Sequence, residues 1–269
     1  MILNVLNLGL VPYETALQLQ RTLMELRKAS RVENTLLLLE HPPVITLGRN
    51  AQVSNVLASP ESLARRGVEL FDIDRGGDVT FHGPGQLVAY PIFDLRSFEP
   101  KLGAVEFVRR LEEVLIRTCG DFGIATQRIK GLTGVWTYAL HSKPEAKIAA
   151  LGVHISRGVT THGFALNVGT DLDFFSLIVP CGLTNKPVTS MERELQKRLT
   201  LEEVAAAVSR NFGRVFHSQM LWLESLDDLL AQATGAPKPV LAESPANQDT
   251  PARPPKEPRN LHTNGDELA

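Results

Sequence analysis

The sequence predicts an α+β protein in which mixed β-sheets are flanked by helices, and two patterns support this. Short apolar runs separated by turn-forming residues recur over the first 168 positions, which is typical of strands. Between them lie segments whose apolar residues recur every three to four positions, as in amphipathic helices. Aromatic residues make up only 6% of the chain, so we expect a mainly aliphatic core.

The N-terminal elements are predicted to be a strand, a helix and two more strands. Positions 2–10 are mainly apolar, and Pro12 fits the start of a helix whose apolar residues are spaced on one face as far as Leu26. The apolar runs 36–39 and 44–48 flank two consecutive prolines, which indicates two strands joined at a corner.

The next elements repeat this alternation. Ser59-Pro60 is a typical helix start and Gly67 a typical helix stop, so we expect a short surface helix between them. Residues 68–74 and 87–94 have the composition of strands. Residues 104–119 have the apolar spacing of a helix.

Three further strands are expected at 134–137, 147–155 and 160–168. The last two are joined through Ser156-Arg157-Gly158, a short turn-forming stretch. The polar segment 139–146 contains a proline and is expected to be a mobile loop.

The C-terminal third is predicted to be helical and then disordered. Thr200 and Glu203 form a capping box ahead of one helix, and Ser225 caps another. From about Ala236 the chain contains almost no large apolar residue, so it cannot bury enough surface to offset the entropy of ordering. We therefore expect one domain over residues 1–235 and a disordered Pro-rich tail over 236–269.

Charge and composition argue against several classes of function. The formal net charge is −2, without the basic excess typical of nucleic-acid binding. No segment approaches the ~18 apolar residues of a membrane span, and the N-terminus does not resemble a signal peptide, so we expect a cytoplasmic protein with no membrane partner. Two cysteines are too few for a disulfide framework and lack metal-site spacing.

A glycine-rich motif spans Arg75 to Gln86, with the sequence RGGDVTFHGPGQ. Its turn-forming residues would let the backbone approach a ligand closely, while Arg75, Thr80, His82 and Gln86 supply hydrogen-bond donors. A plain glycine-rich hairpin is an equally good interpretation. The motif matches neither common phosphate-binding pattern.

Lys147 heads an otherwise apolar predicted strand. Such a lysine is most often an edge residue whose charged end reaches water. The functional alternative is a partly desolvated ammonium that lowers the pKa of a nearby thiol. His82, His154 and His162 lack the spacing of metal ligands, so we expect hydrogen-bonded histidines and no metal site.

The two cysteines lie in different surroundings. Cys119 is on a predicted helix with its own apolar face, where a thiol is normally inert packing. Cys181 follows an apolar run and lies between Pro180 and Gly182, which places its thiol in a loop. Cys181 is therefore the candidate nucleophile.

Together these segments resemble the octanoyltransferases of lipoate synthesis, which are similar in fold to lipoate and biotin protein ligases. The resemblance rests on five motifs in the family's order between residues 75 and 182: RGGxxTFHGPGQ, GVWT, KIAALG, THGFALNV and PCG. One departure is Gly158, where family members often carry tryptophan. The resemblance implies a biotin/lipoate protein ligase-like catalytic fold and an acyltransferase that uses no cofactor.

The resemblance also implies roles for individual residues. Cys181 would be the acyl-thioester nucleophile and Lys147 the residue that lowers its pKa. The octanoyl group would be bound by residues of three motifs: Arg75, Gly76, Gly77, Asp78, Val79, Thr80, Phe81, His82, Ala150, Leu151, Gly152, Gly163, Phe164 and Ala165. His82 or His162 is an alternative base, because a cysteine–histidine pair is the more common solution.

The implied reaction moves an octanoyl group from octanoyl-acyl carrier protein to a lysine of lipoyl domains. The acceptors would be 2-oxoacid dehydrogenases and the glycine cleavage H protein. One alternative is an ATP-dependent lipoate/biotin-type protein ligase, which needs no nucleophilic cysteine; another is a non-catalytic binding module. Arg193, Lys197 and Arg198, predicted on one helix, form either a docking surface for an acidic carrier or a plain solvated face.

Overall fold

A computed structural model describes residues 1–139, 144–180 and 186–234, and these residues form an α+β fold. The strands are β1 (Ile2–Leu10), β2 (Thr35–Glu40), β3 (Val44–Leu47), β4 (Glu69–Asp72), β5 (Val79–His82), β6 (Gln86–Ile92), β7 (Thr126–Ile129), β8 (Leu132–Thr137), β9 (Lys147–Ser156), β10 (Val159–Asn167) and β11 (Gln219–Trp222). The helices are α1 (Tyr13–Lys28), α2 (Pro60–Arg65), α3 (Ala104–Asp121), α4 (Met191–Leu195), α5 (Leu201–Val215) and α6 (Leu226–Thr234). Of these helices, none has the length and apolar character needed to cross a membrane.

The strands form two mixed sheets. The large sheet has the order β11-β1-β2-β6-β10-β9-β8-β7, and the small sheet has the order β4-β3-β5. In the large sheet β1 runs parallel to both β2 and β11, whereas the remaining neighbours are antiparallel. The turn between β9 and β10 consists of Arg157 and Gly158, both with positive φ, which is the two-residue hairpin geometry that favours glycine.

Both faces of the large sheet are buried, which explains why the apolar run of the central strand β2 has no polar interruption. Successive strand residues point to opposite faces. In β2, Leu36 and Leu38 pack in the core formed with α3 and α5, whereas Leu37 and Leu39 pack in the core formed with α1 and α6. The sheet is therefore the middle layer between two pairs of helices.

The small sheet has a core of its own. Phe81 of β5 stacks on Phe174 with ring centroids 4.9 Å apart and meets Phe175 edge-on. Both of these phenylalanines belong to a 3₁₀ segment, Leu172–Leu177. This segment ends three residues before Pro180, so the packing of Phe81 helps to position the chain that leads to Pro180.

The predicted strands and long helices are confirmed, with three differences. Strands β7 and β11 were not expected, because both are short and lie at the two ends of the large sheet, where the apolar pattern is weak. The middle of the glycine-rich motif, Val79–His82, is strand β5, which was not among the predicted strands. Helix α4 ends at Leu195, because Gln196 adopts a left-handed conformation with φ +52°.

The short α4 corrects one expectation about the surface. Lys197 and Arg198 lie beyond the end of the helix, so a single helical face carrying both together with Arg193 is wrong. All three residues do line one open cleft. The predicted mobile loop overlaps residues 140–143, which lie outside the described residues, as do Cys181 and the predicted tail.

Candidate active site

A cavity lies against the face of the large sheet that packs with α1, next to the small sheet. Its walls come from the segment Arg75–His82, from the middle of β9 and β10, from Val88 and Tyr90 of β6, and from Tyr13 of α1. The open volume is about 50 Å³. This is room for a few waters, so an acyl chain entering it has to displace flexible lining side chains.

Arg75 is anchored rather than free to swing. Its guanidinium donates to the carbonyl and hydroxyl of Thr46 at 2.9 and 3.0 Å, and to the carbonyl of Gly76 at 3.1 Å. The backbone around Arg75 packs closely against Gly48 and Gly152. A Cβ at Gly152 would lie 2.7 Å from the Gly76 carbonyl oxygen, and one at Gly48 would lie 2.8 Å from Arg75 Nη1. Glycine at both positions is therefore required by this close approach.

A chain of buried hydrogen bonds connects His82 to the backbone of Lys147. His82 Nδ1 lies 2.7 Å from Gln86 Oε1, and Gln86 Nε2 donates to Asn167 Oδ1 at 2.9 Å. Asn167 donates to the carbonyl of Thr189, whose own N–H donates to the carbonyl of Lys147. Because the Gln86 oxygen can only accept, His82 carries its proton on Nδ1 and presents Nε2 as an acceptor.

Lys147 is buried at the start of β9, with 6% of its surface exposed. Its ammonium lies 4.7 Å from the ring centroid of Trp136, a cation–π distance. Its backbone N–H donates to Pro187 and its carbonyl accepts from Thr189. The edge-residue interpretation is therefore wrong, because β9 is paired on both sides and the ammonium is enclosed.

The chain on both sides of Cys181 is held close to Lys147. Before it, Val179 N–H donates to the carbonyl of Asn55 at 2.7 Å, and Pro180 lines a small cleft together with Lys147. After it, Pro187 and Thr189 bond the Lys147 backbone. The same cleft is lined by Thr80, Ala150 and Ala165, which also line the cavity, so the cleft adjoins the cavity.

The two histidines considered as bases are held by other partners. Burial lowers the pKa of His82 to about 3, so its imidazole is neutral at physiological pH. His162 lies 2.8 Å from Asp74 through Nε2, and burial outweighs this carboxylate in lowering its pKa. Neither lines the cleft shared by Lys147 and Pro180. Of these three candidate groups, Lys147 is therefore the one that shares a cleft with Pro180.

The buried histidines predict that acid destabilises the fold. Burial lowers the pKa of His41 to about 4 and that of His82 to about 3, from 6.5 in the unfolded chain. Unfolding therefore takes up protons below pH 6.5, and each histidine should cost about 1.4 kcal/mol of stability per pH unit down to its folded pKa. Urea unfolding at pH 7 and pH 5 measures this loss. A His82→Gln variant should lose less stability over that range, and equal stability at both pH values would contradict the prediction.

The cavity is lined by most of the residues predicted to bind the octanoyl group. Twelve of the fourteen line it: Arg75, Gly77, Asp78, Val79, Thr80, His82, Ala150, Leu151, Gly152, Gly163, Phe164 and Ala165. Phe81 and Gly76 do not. Phe81 points to the opposite side of β5 from Thr80 and His82, into the core of the small sheet, and Gly76 donates its N–H to the carbonyl of Val153.

Four lining residues were not among the predicted octanoyl-binding residues: Tyr13, Val88, Tyr90 and His162. Val88 and Tyr90 lie on the same face of β6 as Gln86, because strand residues two positions apart share a face. This two-residue spacing is the signal that could have identified them. Tyr13 comes from a helix start and carried no such signal. Among the described residues, no group of three or more His, Cys, Asp and Glu side chains could hold a metal ion.

Comparison with known sequences places these features in a family. Residues 12–213 match the model of the lipoyl protein ligase A/B catalytic domain. The chain is 63% identical to the octanoyltransferase of Koribacter versatilis over 97% of both chains. It is 61% identical to the octanoyltransferase of Acidobacterium capsulatum, covering 86% of this chain and 97% of that protein.

Solved structures agree on the fold. The bipartite lipoate protein ligase of Thermoplasma acidophilum aligns with a TM-score of 0.67 at 19% identity, over 87% of this chain and 91% of that one. A lipoate-protein ligase A bound with ATP aligns with a TM-score of 0.64 at 17% identity, over 87% and 94% of the two chains. The predicted fold is confirmed, and the chain belongs to the octanoyltransferases of the lipoyl protein ligase A/B catalytic-domain family.

Proposed function

We propose that this octanoyltransferase takes its acyl group from octanoyl-acyl carrier protein and holds it as a thioester on Cys181. It then passes the group to a lysine of lipoyl domains in 2-oxoacid dehydrogenases and the glycine cleavage H protein. The observation that carries the proposal is the cleft shared by Lys147 and Pro180, which adjoins the cavity. We place the reaction in the cytoplasm, where thiols are kept reduced.

The first half-reaction is a thioester exchange. The Cys181 thiolate attacks the octanoyl carbonyl carbon, the new Cys181 carbon–sulfur bond forms, and the bond to the carrier sulfur breaks. The Lys147 ammonium stabilises the attacking thiolate and protonates the departing carrier thiolate. Exchange between two thioesters is nearly isoenergetic, so this step needs no ATP.

The second half-reaction forms an amide. The lysine amine of the lipoyl domain attacks the acyl-enzyme, its carbon–nitrogen bond forms, and the carbon–sulfur bond to Cys181 breaks. Lys147, left neutral by the first step, takes the proton released by the attacking amine. Enzyme thiolate and lysine ammonium are thereby restored together.

Burial of the acyl chain supplies the binding energy. At ~0.8 kcal/mol for each buried methylene, the six methylenes of an octanoyl group contribute roughly 5 kcal/mol. The walls near Ala150 and Ala165 carry small side chains, which leave space beside the polar groups of Arg75 and His82.

The competing function is an ATP-dependent ligase, since the matching family model is described as a lipoyl protein ligase A/B catalytic domain and the solved neighbours are ligases. A ligase would activate its acid as an adenylate and would carry no acyl group on cysteine. Relatives at 61% and 63% identity are octanoyltransferases, which supports the transferase.

The intact mass of the protein after incubation with octanoyl-acyl carrier protein tests the proposal. We expect one octanoyl adduct, formed without ATP, removed by hydroxylamine and discharged by an apo lipoyl domain. If no adduct forms and transfer from free octanoate requires ATP, the ligase function is correct instead.

A further inference from the structure

A second cavity lies behind the proposed acyl site, and His162 is the wall between them. The open volume of the first cavity is about 50 Å³, and that of the second, which opens to the surface beside Arg21 and Glu25, is about 260 Å³. Among the described residues that line them, His162 is the one common to both. Asp74 faces the second cavity and its chain neighbour Arg75 faces the first, so the wall continues through this pair.

The position of His162 follows from Pro91 in the neighbouring strand. The register of β10 on β6 places His162 opposite Pro91, which has no N–H to donate. The Pro91 carbonyl instead accepts from the Thr160 hydroxyl, and the His162 N–H donates to Gln20 Oε1 at 2.7 Å. His162 adopts φ +56°, a strained conformation for a residue in a strand.

The imidazole of His162 is held by a hydrogen bond and by a ring contact. Its Nε2 donates to Asp74 Oδ1 at 2.8 Å, and its ring meets Tyr90 edge-on at 6.4 Å. Only 3% of the His162 side chain is exposed, although its partner Asp74 is 51% exposed. The wall is therefore one buried ring held by a carboxylate at the surface.

His162 also lies at the correct depth to stop an acyl chain. Ala165 lines the cleft that contains Lys147, and His162 is three residues earlier on β10, about 10 Å away at strand spacing. This is comparable to the length of an extended octanoyl chain. An acyl chain whose carbonyl carbon lies beside Ala165 in this cleft would therefore reach His162 with its last carbons.

We infer that His162 is a specificity-determining residue, which ends the acyl site and sets the upper limit of acyl chain length. The inference rests on the proposed function, because it assumes that the acyl chain enters the first cavity from the Lys147 cleft. Without the imidazole the two cavities join. The apolar side chains of Leu17 and Met24 in the second cavity would then contact carbons beyond the eighth.

The test compares acyl-carrier substrates from hexanoyl to dodecanoyl on wild type and His162→Ala, using kcat/KM for transfer to a lipoyl domain. Two more buried methylenes at ~0.8 kcal/mol each correspond to roughly a tenfold gain. Because the second cavity is partly polar, we expect the ratio of decanoyl to octanoyl transfer to rise about fivefold. An unchanged ratio, or an equal loss for every chain length, would overturn the inference.

Three further variants separate a wall from a general defect. His154→Ala removes the other histidine near Asp74, which lines neither cavity, and should keep the wild-type ratio. Adding Met24→Phe to His162→Ala should narrow the second cavity and reduce the gain. If His162→Ala does not fold, Asp74→Ala releases the imidazole from the surface and should shift the ratio in the same direction. Absence of octanoyl transfer in wild type would refute the proposed function itself.

Discussion

A Cys181→Ser variant is expected to form no octanoyl thioester and to lose at least about 10³-fold in octanoyl transfer, or about 4 kcal/mol of transition-state stabilisation. A serine hydroxyl is hardly ionised at neutral pH, and an ammonium such as that of Lys147 stabilises a thiolate far more readily. An octanoyl ester on serine would also be a poor donor to an amine. Intact mass and steady-state transfer to an apo lipoyl domain measure both losses.

The chain supplies a matched control for this substitution. Cys119 is buried in α3, and burial raises the pKa of its thiol to about 12, so it cannot act as a thiolate at neutral pH. Cys119→Ala should therefore keep the octanoyl adduct and most of the activity. A hydroxylamine-sensitive adduct that persists in Cys181→Ser and disappears in Cys119→Ala would reverse the assignment. ATP-dependent transfer that survives Cys181→Ser would instead identify a ligase.

The central strands could be predicted from the sequence, because burial of both sheet faces makes consecutive strand residues apolar. Leu36 to Leu39 are apolar at every position, since alternate residues meet different helix pairs. The edge strands β7 and β11 lacked this signal, as each has a neighbour on one side only. Strand β5 was missed because glycines surround it, although its own four residues are all buried.

Site residues that belong to a continuous sequence motif could be predicted. Those that the fold brings together from distant parts of the chain could not. The Arg75 loop and β9 carry recognisable motifs, and the structure shows why: Gly152 leaves space for the Gly76 carbonyl. Tyr13 reaches the cavity only because α1 packs on the sheet. The wall at His162 depends on Pro91, 71 positions earlier, which no local pattern could reveal.

The buried environment of Lys147 leads to a second large expected effect. Lys147→Ala should lower kcat/KM for octanoyl transfer by about 10²- to 10⁴-fold, the usual contribution of a positioned acid or base. His162→Ala should cost less with the same octanoyl substrate, because His162 contacts the acyl tail and not the reacting carbon. The measurement is kcat/KM of both variants at several pH values. Activity of Lys147→Ala should rise more steeply with pH, since the thiol then ionises without a neighbouring cation.

Two controls separate the loss of a charge from the loss of packing beside Trp136. Lys147→Met keeps most of the side-chain volume against the indole and removes the ammonium, so it should be as inactive as Lys147→Ala but more stable. Lys186→Ala removes a lysine that pairs with Glu145 at 2.5 Å and should have little effect. Should His162→Ala prove the more damaging change at every pH, the base is histidine, and Lys147 serves only to hold the chain on either side of Cys181.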